Sequence, residues 1–517
     1  MNRFVCLFVS ALLLLCPAGA QTPPKPKLVV TIVVDQFRYD YTTRFASQYK
    51  GGLATLLKHG AVFTNARYDQ FPTVTAVGHS IIMSGANPAE SGIVGNAWYS
   101  REERRLVTSV CDGSVETVGA PTPKPQADCT DATPASPNRL LVDTVGDELR
   151  MANGEAKVIG VSLKPRAAIL PSGHMANGAF WFDESGVFAS SSFYGKELPQ
   201  WAADFNAARP ADQYAGKEWR GTKFGSGGEL YRTIPASPWG NELIESFAEA
   251  AIEGENLGGR GVTDLLTVSF SSNDYVGHRV GPDDPAVEDM ALRTDHVLDR
   301  FFHFLVSRHI GPGEVLIVFT ADHGVAPLPE KDAERKMPGG RMAESQISKT
   351  VQDALTARFG PGDWLIQKPV EYVLYLNQDL IREKKLDAAE VDRAAAEALA
   401  SKPHIYRVYT REQLASGVST DRIARAMTNG FFAERSGDIF VLIDPYWLPS
   451  PRGTTHGTPF NYDSHVPVIF MGFGVRPGVY NRNISVTDIA PTLATILGIQ
   501  MPSGSEGRAL DEIMVGN

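Results

Sequence analysis

Three apolar, β-branched runs of this chain each stop at an aspartate: KLVVTIVVD at Asp35, LLTVSFSSND at Asp274, and EVLIVFTADH at Asp322, with His323 next. Strands buried on both faces of a parallel sheet read as such unbroken Val, Ile and Leu runs, and open α/β sheets bind ligands beyond the carboxyl ends of their strands. The three acids are therefore expected to converge on one cleft. Carboxylates gathered in this way repel one another, and a cation removes that penalty, so acids accompanied by histidines point to a metal site.

The composition narrows the function classes. With 517 residues, 43% of them hydrophobic, the chain can bury a large core, and a formal net charge of −10 argues against a nucleic-acid backbone as a structural partner. Residues 1–20 read as a signal peptide. Arg3 supplies the positive start, Phe4 to Leu15 an apolar stretch too short to span a bilayer, and Ala18, Gly19 and Ala20 the small-residue pattern for cleavage at Ala20/Gln21. Cys16 raises a lipoprotein alternative, which the bulky Leu15 before it disfavours. No later segment is long and apolar enough to cross a membrane, so a periplasmic or secreted monomer without membrane insertion is expected.

Cleavage would remove Cys6 and Cys16 and leave Cys111 and Cys129. In an oxidising compartment a disulfide between them is the default, and closing that surface loop would limit the unfolded chain by roughly 3 kcal/mol.

Periodicity and turn residues set out the rest. Residues 27–35 read as a strand, 52–59 as a helix, and 74–84 as a loop feeding a second helix. Residues 99–137 are rich in turn formers and read as an insertion pinned by the disulfide. A helix at 144–151 and a strand at 157–163 follow. From 173 to 240 the pattern is aromatic and irregular, without clear core elements, and 175–240 reads as a cap beside the cleft. Helices are expected at 243–251 and 287–308. Between 328 and 450 the composition shifts to an inserted α+β subdomain, with helices at 388–400 and 420–427 and strands at 371–376 and 438–443. The catalytic α/β domain of 21–327 is then completed by 451–517, through HVPVIFMG and the helical VTDIAPTLATILG.

Spacing brings in the candidate ligands. Asp274 and His278 stand four apart in NDYVGH, which puts both side chains on one helical face. Asp322 and His323 are adjacent and must turn in a loop to share an ion, a turn that Gly324 permits. A third histidine comes from GTTHGTPFNYDSHVP, where the spacing leaves His456 and His465 as open alternatives. Three carboxylates with three imidazoles suit a pair of Zn²⁺ ions, since a calcium site normally lacks histidine.

A nucleophile is sought in FPTVTAVGHS, where Thr73, Thr75 and Ser80 carry hydroxyls. The plain reading of Thr75 is a helix N-cap. In the same position its oxygen meets the positive end of the helix dipole, and a nearby dication would activate it further. Lys164 and Arg166, in KPR after a strand, place two cations at a strand's carboxyl end, suited to phosphate; Asn96 in GIVGNAWY can donate an amide hydrogen bond. For these three the plain readings are a solvated basic pair and a turn asparagine.

In combination and order, VVDQFRYDY, PTVTAVGHS, GIVGN, SLKPRAAILPSGHMANGAFW, SSNDYVGH, TADHG and THGTPFNYDSHVP resemble the alkaline phosphatase superfamily. The likeness is strongest to its phosphate-irrepressible, threonine-nucleophile alkaline phosphatases of the PafA type, with type I phosphodiesterases and nucleotide pyrophosphatases as relatives. It covers nearly all of the expected mature chain. The resemblance implies a three-layer α/β sandwich around a mostly parallel central sheet flanked by helices. It also implies that Asp35, Asp322 and His323 hold one zinc with the Thr75 oxygen, and that Asp274, His278 and His456 hold a second. It thereby selects His456 over His465, and gives Asn96, Lys164 and Arg166 the non-bridging phosphoryl oxygens.

The activity so implied is hydrolysis of small-molecule phosphate monoesters through a phosphothreonine, with two Zn²⁺ per chain as cofactors. A phosphodiesterase or nucleotide pyrophosphatase of the same superfamily is the alternative. Lys164 and Arg166 favour the monoesterase, because a monoester dianion needs more positive charge than a diester monoanion. A sulfatase is disfavoured, since no CxPxR-type motif surrounds Thr75. A metal- or phosphate-binding protein without turnover would have no use for a bare hydroxyl beside two metals.

Overall fold

The computed structural model describes residues 25–121, 134–417 and 421–515. The expected signal peptide with its Ala20/Gln21 junction, and Cys129 of the expected disulfide, lie outside them.

The three aspartate-ended runs become neighbouring strands. Leu28–Val34 is buried at all seven positions, and it pairs in parallel with Asp264–Phe270 on one side and Val315–Thr320 on the other. Each wholly buried Val or Ile here contributes roughly 1.5–3 kcal/mol relative to exposure. Register levels the strand ends, with Val34 opposite Phe270 and Val33 opposite Thr320, so the chain leaves all three strands at one height.

Ten strands make up the sheet, in the order Gly478–Ser485, Ala61–Arg67, Val468–Gly472, Val315–Thr320, Leu28–Val34, Asp264–Phe270, Val158–Ser162, Gly178–Phe182, Phe188–Ser191 and Thr117–Val118. Only Val468–Gly472 and Phe188–Ser191 run against the rest. The sheet is mixed but mostly parallel, as expected. Helices pack in two groups. Gly52–His59, Pro238–Glu255 and Pro285–Ser307 form one, while Thr75–Ser84, Val145–Ala152, Pro165–Ile169 and Ile489–Leu497 form the other, which gives a helix, sheet, helix layering.

Local chemistry explains the helix starts. Buried Asp295 accepts hydrogen bonds from the main-chain N–H groups of Lys50, Gly51, Leu53 and Ala54 at 2.7–3.2 Å, and so caps the Gly52–His59 helix with a negative charge at its positive end. Thr144 and Asp147 form a reciprocal capping box on Val145–Ala152.

Two stretches differ from the sequence expectation. Within 175–240, read as a cap, Gly178–Phe182 and Phe188–Ser191 are strands of the central sheet, and Phe180, Phe188 and Phe247 pack together behind them. The aromatic run is core, but at five and four residues these strands are too short to show a period. Within 99–137, Thr117–Val118 adds the outermost strand, and Ala97–Ser100 pairs with Arg105–Thr108 as a hairpin.

Between 328 and 450 a three-stranded sheet of Val373–Leu374, Ile439–Ile443 and Ile405–Thr410 carries the Ala388–Ala400 helix. The Glu344–Phe359 helix there was not expected from sequence; its buried residues are only Ile347, Val351 and Leu355.

Candidate active site

Beyond the level strand ends the acids turn inward. Asp35, Asp322 and His323 are fully buried, and Asp274, His456 and Thr75 nearly so. Ligand atoms of Asp35, Asp322 and His323 lie within 4.8 Å of one another, as do those of Asp274, His323 and His456. Thr75 Oγ1 lies 3.4 Å from His323 Nε2, which is itself 3.4 Å from Asp35 Oδ1 and from Asp322 Oδ2. His278 Nε2 stands 3.1 Å from Asp274 Oδ1, one turn along the Ser272–Val280 helix, as the four-residue spacing requires. His456 Nε2 lies 3.8 Å from the same oxygen. His323 stacks on His456 at 3.5 Å and so sits between the two groups.

The donor set fits metal ions on three observations. His278 Nδ1 donates to the Thr454 carbonyl at 2.8 Å, His456 Nδ1 to that of Thr73 at 2.8 Å, and His323 Nδ1 to that of Gly324 at 2.9 Å. A carbonyl can only accept, so each ring carries a proton on Nδ1 and turns Nε2, the nitrogen that could ligate an ion, toward the carboxylates. Asp35 Oδ1 and Asp322 Oδ2 are buried yet accept no hydrogen bond, which elsewhere in a core costs about 1–3 kcal/mol per group. Both face His323 Nε2.

Electrostatics agree. Burial, reinforced by Asp274 and Asp322, pushes the Asp35 carboxyl well above its usual range. Burial would do the same to Asp274, but His278 and Lys164 outweigh it and hold that carboxyl well below. Asp322 is likewise buried and is held low by His323 and His79. Burial lowers His323 and lowers His456 further, which favours neutral rings able to ligate, whereas at His278 the neighbouring Asp274 carboxylate outweighs burial and raises the ring.

Lys164, 4% exposed, spans the two groups, with Nζ 2.5 Å from Asp35 Oδ2 and 2.6 Å from Asp274 Oδ2. Burial works against its charge, and Asp274 with Asp35 more than restores it. With Arg166, Tyr275 and His278, Lys164 lines a cleft of 470 Å³ that opens from Asp274. Asn96 meets the start of the Thr75–Ser84 helix, where its Oδ1 accepts from the Ala76 N–H at 2.9 Å.

Two sequence readings are corrected here, those of Thr75 and Gly324. Thr75 is not the N-cap; Val74 holds that position, and the Asn96 amide oxygen serves Ala76, which leaves the Thr75 hydroxyl directed at His323. Gly324 does not adopt a left-handed turn; a Cβ there would stand 2.2 Å from the Tyr462 carbonyl oxygen, so close approach is what requires glycine. His465 stacks on Tyr39 at 4.2 Å and bonds the Thr64 carbonyl, outside the ligand groups, whereas His456 is inside.

Sequence reasoning missed two supporting residues. Gln36 donates its main-chain N–H to Asp322 Oδ1 and its Nε2–H to Asp274 Oδ1, at 3.1 and 2.6 Å, from a backbone with φ 64°. His79, fully buried, joins the Thr75 carbonyl at 2.9 Å to Ser269 Oγ at 2.8 Å, with Asp322 Oδ2 3.3 Å away. Its place one turn after Thr75 was the available signal.

A mostly parallel α/β sheet with two overlapping buried metal-ligand groups at its strand ends, beside a helix-start threonine and a buried lysine, defines a metallohydrolase-like α/β architecture. The family model described as type I phosphodiesterase / nucleotide pyrophosphatase matches residues 29–459, and the chain belongs to that family, within the alkaline phosphatase superfamily. It is 38% identical to alkaline phosphatase PhoV of Synechococcus elongatus, over 96% of this chain and 94% of that protein. It is 37% identical to alkaline phosphatase PafA of Elizabethkingia meningoseptica, over 95% of each. The crystal structure of wild-type alkaline phosphatase PafA superposes with a TM-score of 0.87 at 36% identity, covering 96% of this chain and all of that one.

Proposed function

We propose that this chain is an exported alkaline phosphatase, a metal-dependent phosphomonoesterase that forms a phosphothreonine on Thr75. The observation that carries the reading is the convergence of Thr75 Oγ1, His323 Nε2 and two unbonded carboxylate oxygens at one buried point, with Lys164 across it. In this reading Asp35, Asp322 and His323 hold one zinc, and Asp274, His278 and His456 the other. When bound, the ions supply Lewis-acid charge that makes the Thr75 oxygen nucleophilic and stabilises the departing oxygen.

The chain's own residues do the rest. The Thr75 oxygen, its proton released to solvent, attacks phosphorus in line as the ester P–O bond breaks, and the alcohol leaves with a solvent proton. Lys164, Arg166 and Asn96 neutralise and orient the three non-bridging oxygens without transferring protons. Water then breaks the Thr75 O–P bond, phosphate leaves, and Thr75 regains its proton. Residues 21–327 and 451–517 form the catalytic domain in this proposal, with 328–450 as an inserted subdomain. Residues 1–20 direct export, and Cys111 pairs with Cys129.

A diesterase is the second reading, favoured by the description of the family model. Two cations beside the reacting group, Lys164 and Arg166, favour a dianionic monoester over it. Zinc-loaded enzyme is expected to hydrolyse an aryl phosphate far faster than the corresponding diaryl phosphate, and Thr75→Ala to bind inorganic phosphate while losing hydrolysis. Inactivity of the loaded wild type on both esters, or normal turnover by Thr75→Ala, removes the proposal.

A further inference from the structure

Asn96 is gripped from a part of the chain that the reaction above does not use. Its main-chain N–H donates to both carboxylate oxygens of Glu371, at 3.0 and 3.1 Å, across 275 residues of sequence. Glu371 belongs to the 328–450 region, at the tip of a tight hairpin in which Val370 and Val373 exchange hydrogen bonds at 2.9 Å. Its two central residues, Glu371 and Tyr372, have φ of 49° and 70°, the signs of a type I′ turn. Such turns favour Asn-Gly or Gly-Gly, because a side chain with a Cβ is strained at positive φ. Glu-Tyr is a poor pair for the turn.

The neighbours of the tip show what the strain serves. Glu371 Oε2 lies 2.3 Å from where a Cβ of Gly95 would stand, so position 95 is open to admit the carboxylate. On the other side, the Tyr372 ring lies 3.1 Å from the Cβ position of Gly457, next to the ligand His456. The hairpin tip thus enters between the Asn96 loop and the His456 loop. Asn96 in turn spends its amide oxygen on the Ala76 N–H, which leaves its two Nδ2 hydrogens as the donors available to a substrate oxygen.

We propose that Glu371 is a positioning residue for the phosphoryl site: by fixing the Asn96 main chain it aims the amide donors of Asn96 at the group transferred to Thr75. The inserted subdomain then completes the active site. This rests on the phosphomonoesterase reading. It also predicts an unusual separation of stability from activity, because asparagine suits a left-handed backbone better than glutamate but is too short to reach Asn96.

The test is Glu371→Asn in the zinc-loaded, full-length enzyme, assayed on an aryl phosphate beside Glu371→Gln, Asn96→Ala and the Glu371→Asn/Asn96→Ala double variant. Glu371→Asn is expected to melt at or above the wild-type temperature yet lose kcat/KM by about tenfold, the equivalent of about 1.4 kcal/mol. Glu371→Gln, which keeps an acceptor of the right length, is expected to retain most of the rate. In the Asn96→Ala background Glu371→Asn is expected to add no further loss. Wild-type kcat/KM in Glu371→Asn, or losses that multiply in the double variant, overturns the inference with the enzymatic reading intact. A loaded wild type with no phosphatase activity removes both.

Discussion

At the scale of single residues, hydrogen-bond direction carries more information than proximity. His278, His323 and His456 come from distant parts of the chain, yet all three direct Nδ1 to a main-chain carbonyl and Nε2 to the carboxylates. Gln36 and His79 extend that order outward. Away from the site, one buried carboxyl runs against stability. Burial, with a contribution from Asp438, pushes Asp392 up to about 7, and its Oδ1 finds no hydrogen bond. The folded chain therefore prefers Asp392 protonated. That preference costs nothing below the unfolded value near 3.8, grows as pH rises from about 4 to about 7, and is complete above. Asp392→Asn is expected to melt higher than wild type at pH 8 and to match it at pH 4, read by thermal unfolding at both pH values. An equal shift at the two pH values counts against this account.

At the scale of elements, the Thr75–Ser84 helix shows how closely the site's supports are packed. Gly78 sits inside it, and a Cβ there would meet the Asp322 carbonyl oxygen at 2.2 Å. Helix propensity alone would make Gly78→Ala stabilising by about 1 kcal/mol. The clash is larger, since overpacking typically costs about 1–3 kcal/mol, so the variant is expected to melt lower and to lose activity as Asp322 is displaced. A higher melting temperature with full activity would show that the helix and the Asp322 loop can part freely.

Much at this scale was legible in the sequence, because burial on two faces writes itself as an apolar run. Leu28–Val34 and Val315–Thr320 are such runs, and glycines on either side bracket Gly52–His59. Asp274 with His278 was readable because four residues make one helical turn. Other elements left weaker marks. Gly178–Phe182 is aromatic rather than β-branched, and Glu344–Phe359 buries a single narrow stripe. Gln36 and Glu371 could not be read at all, because their meaning lies in partners hundreds of residues away and in a backbone angle, whereas His79 left only its spacing of four from Thr75 as a signal.

At the scale of the molecule, the candidate metal groups tie together segments from residue 35 to residue 456. A ligand that binds only the folded chain stabilises it by about 2.7 kcal/mol at a hundred times its dissociation constant. Chelation is accordingly expected to lower the melting temperature of the whole chain by several degrees, and zinc to restore it, in a scanning measurement that requires no substrate. Unchanged melting with and without chelator would mean that these buried groups hold no ion.

Strand order has a consequence in time as well as in space. Val468–Gly472, one of the last strands made, lies between Ala61–Arg67 and Val315–Thr320, both synthesised long before it. A chain emerging from the ribosome amino end first cannot join those two halves of its sheet until the closing segment arrives. The seven strands from Val315–Thr320 to Thr117–Val118 can assemble among themselves earlier, but Ala61–Arg67 must wait, unpaired with them, for nearly the whole of synthesis.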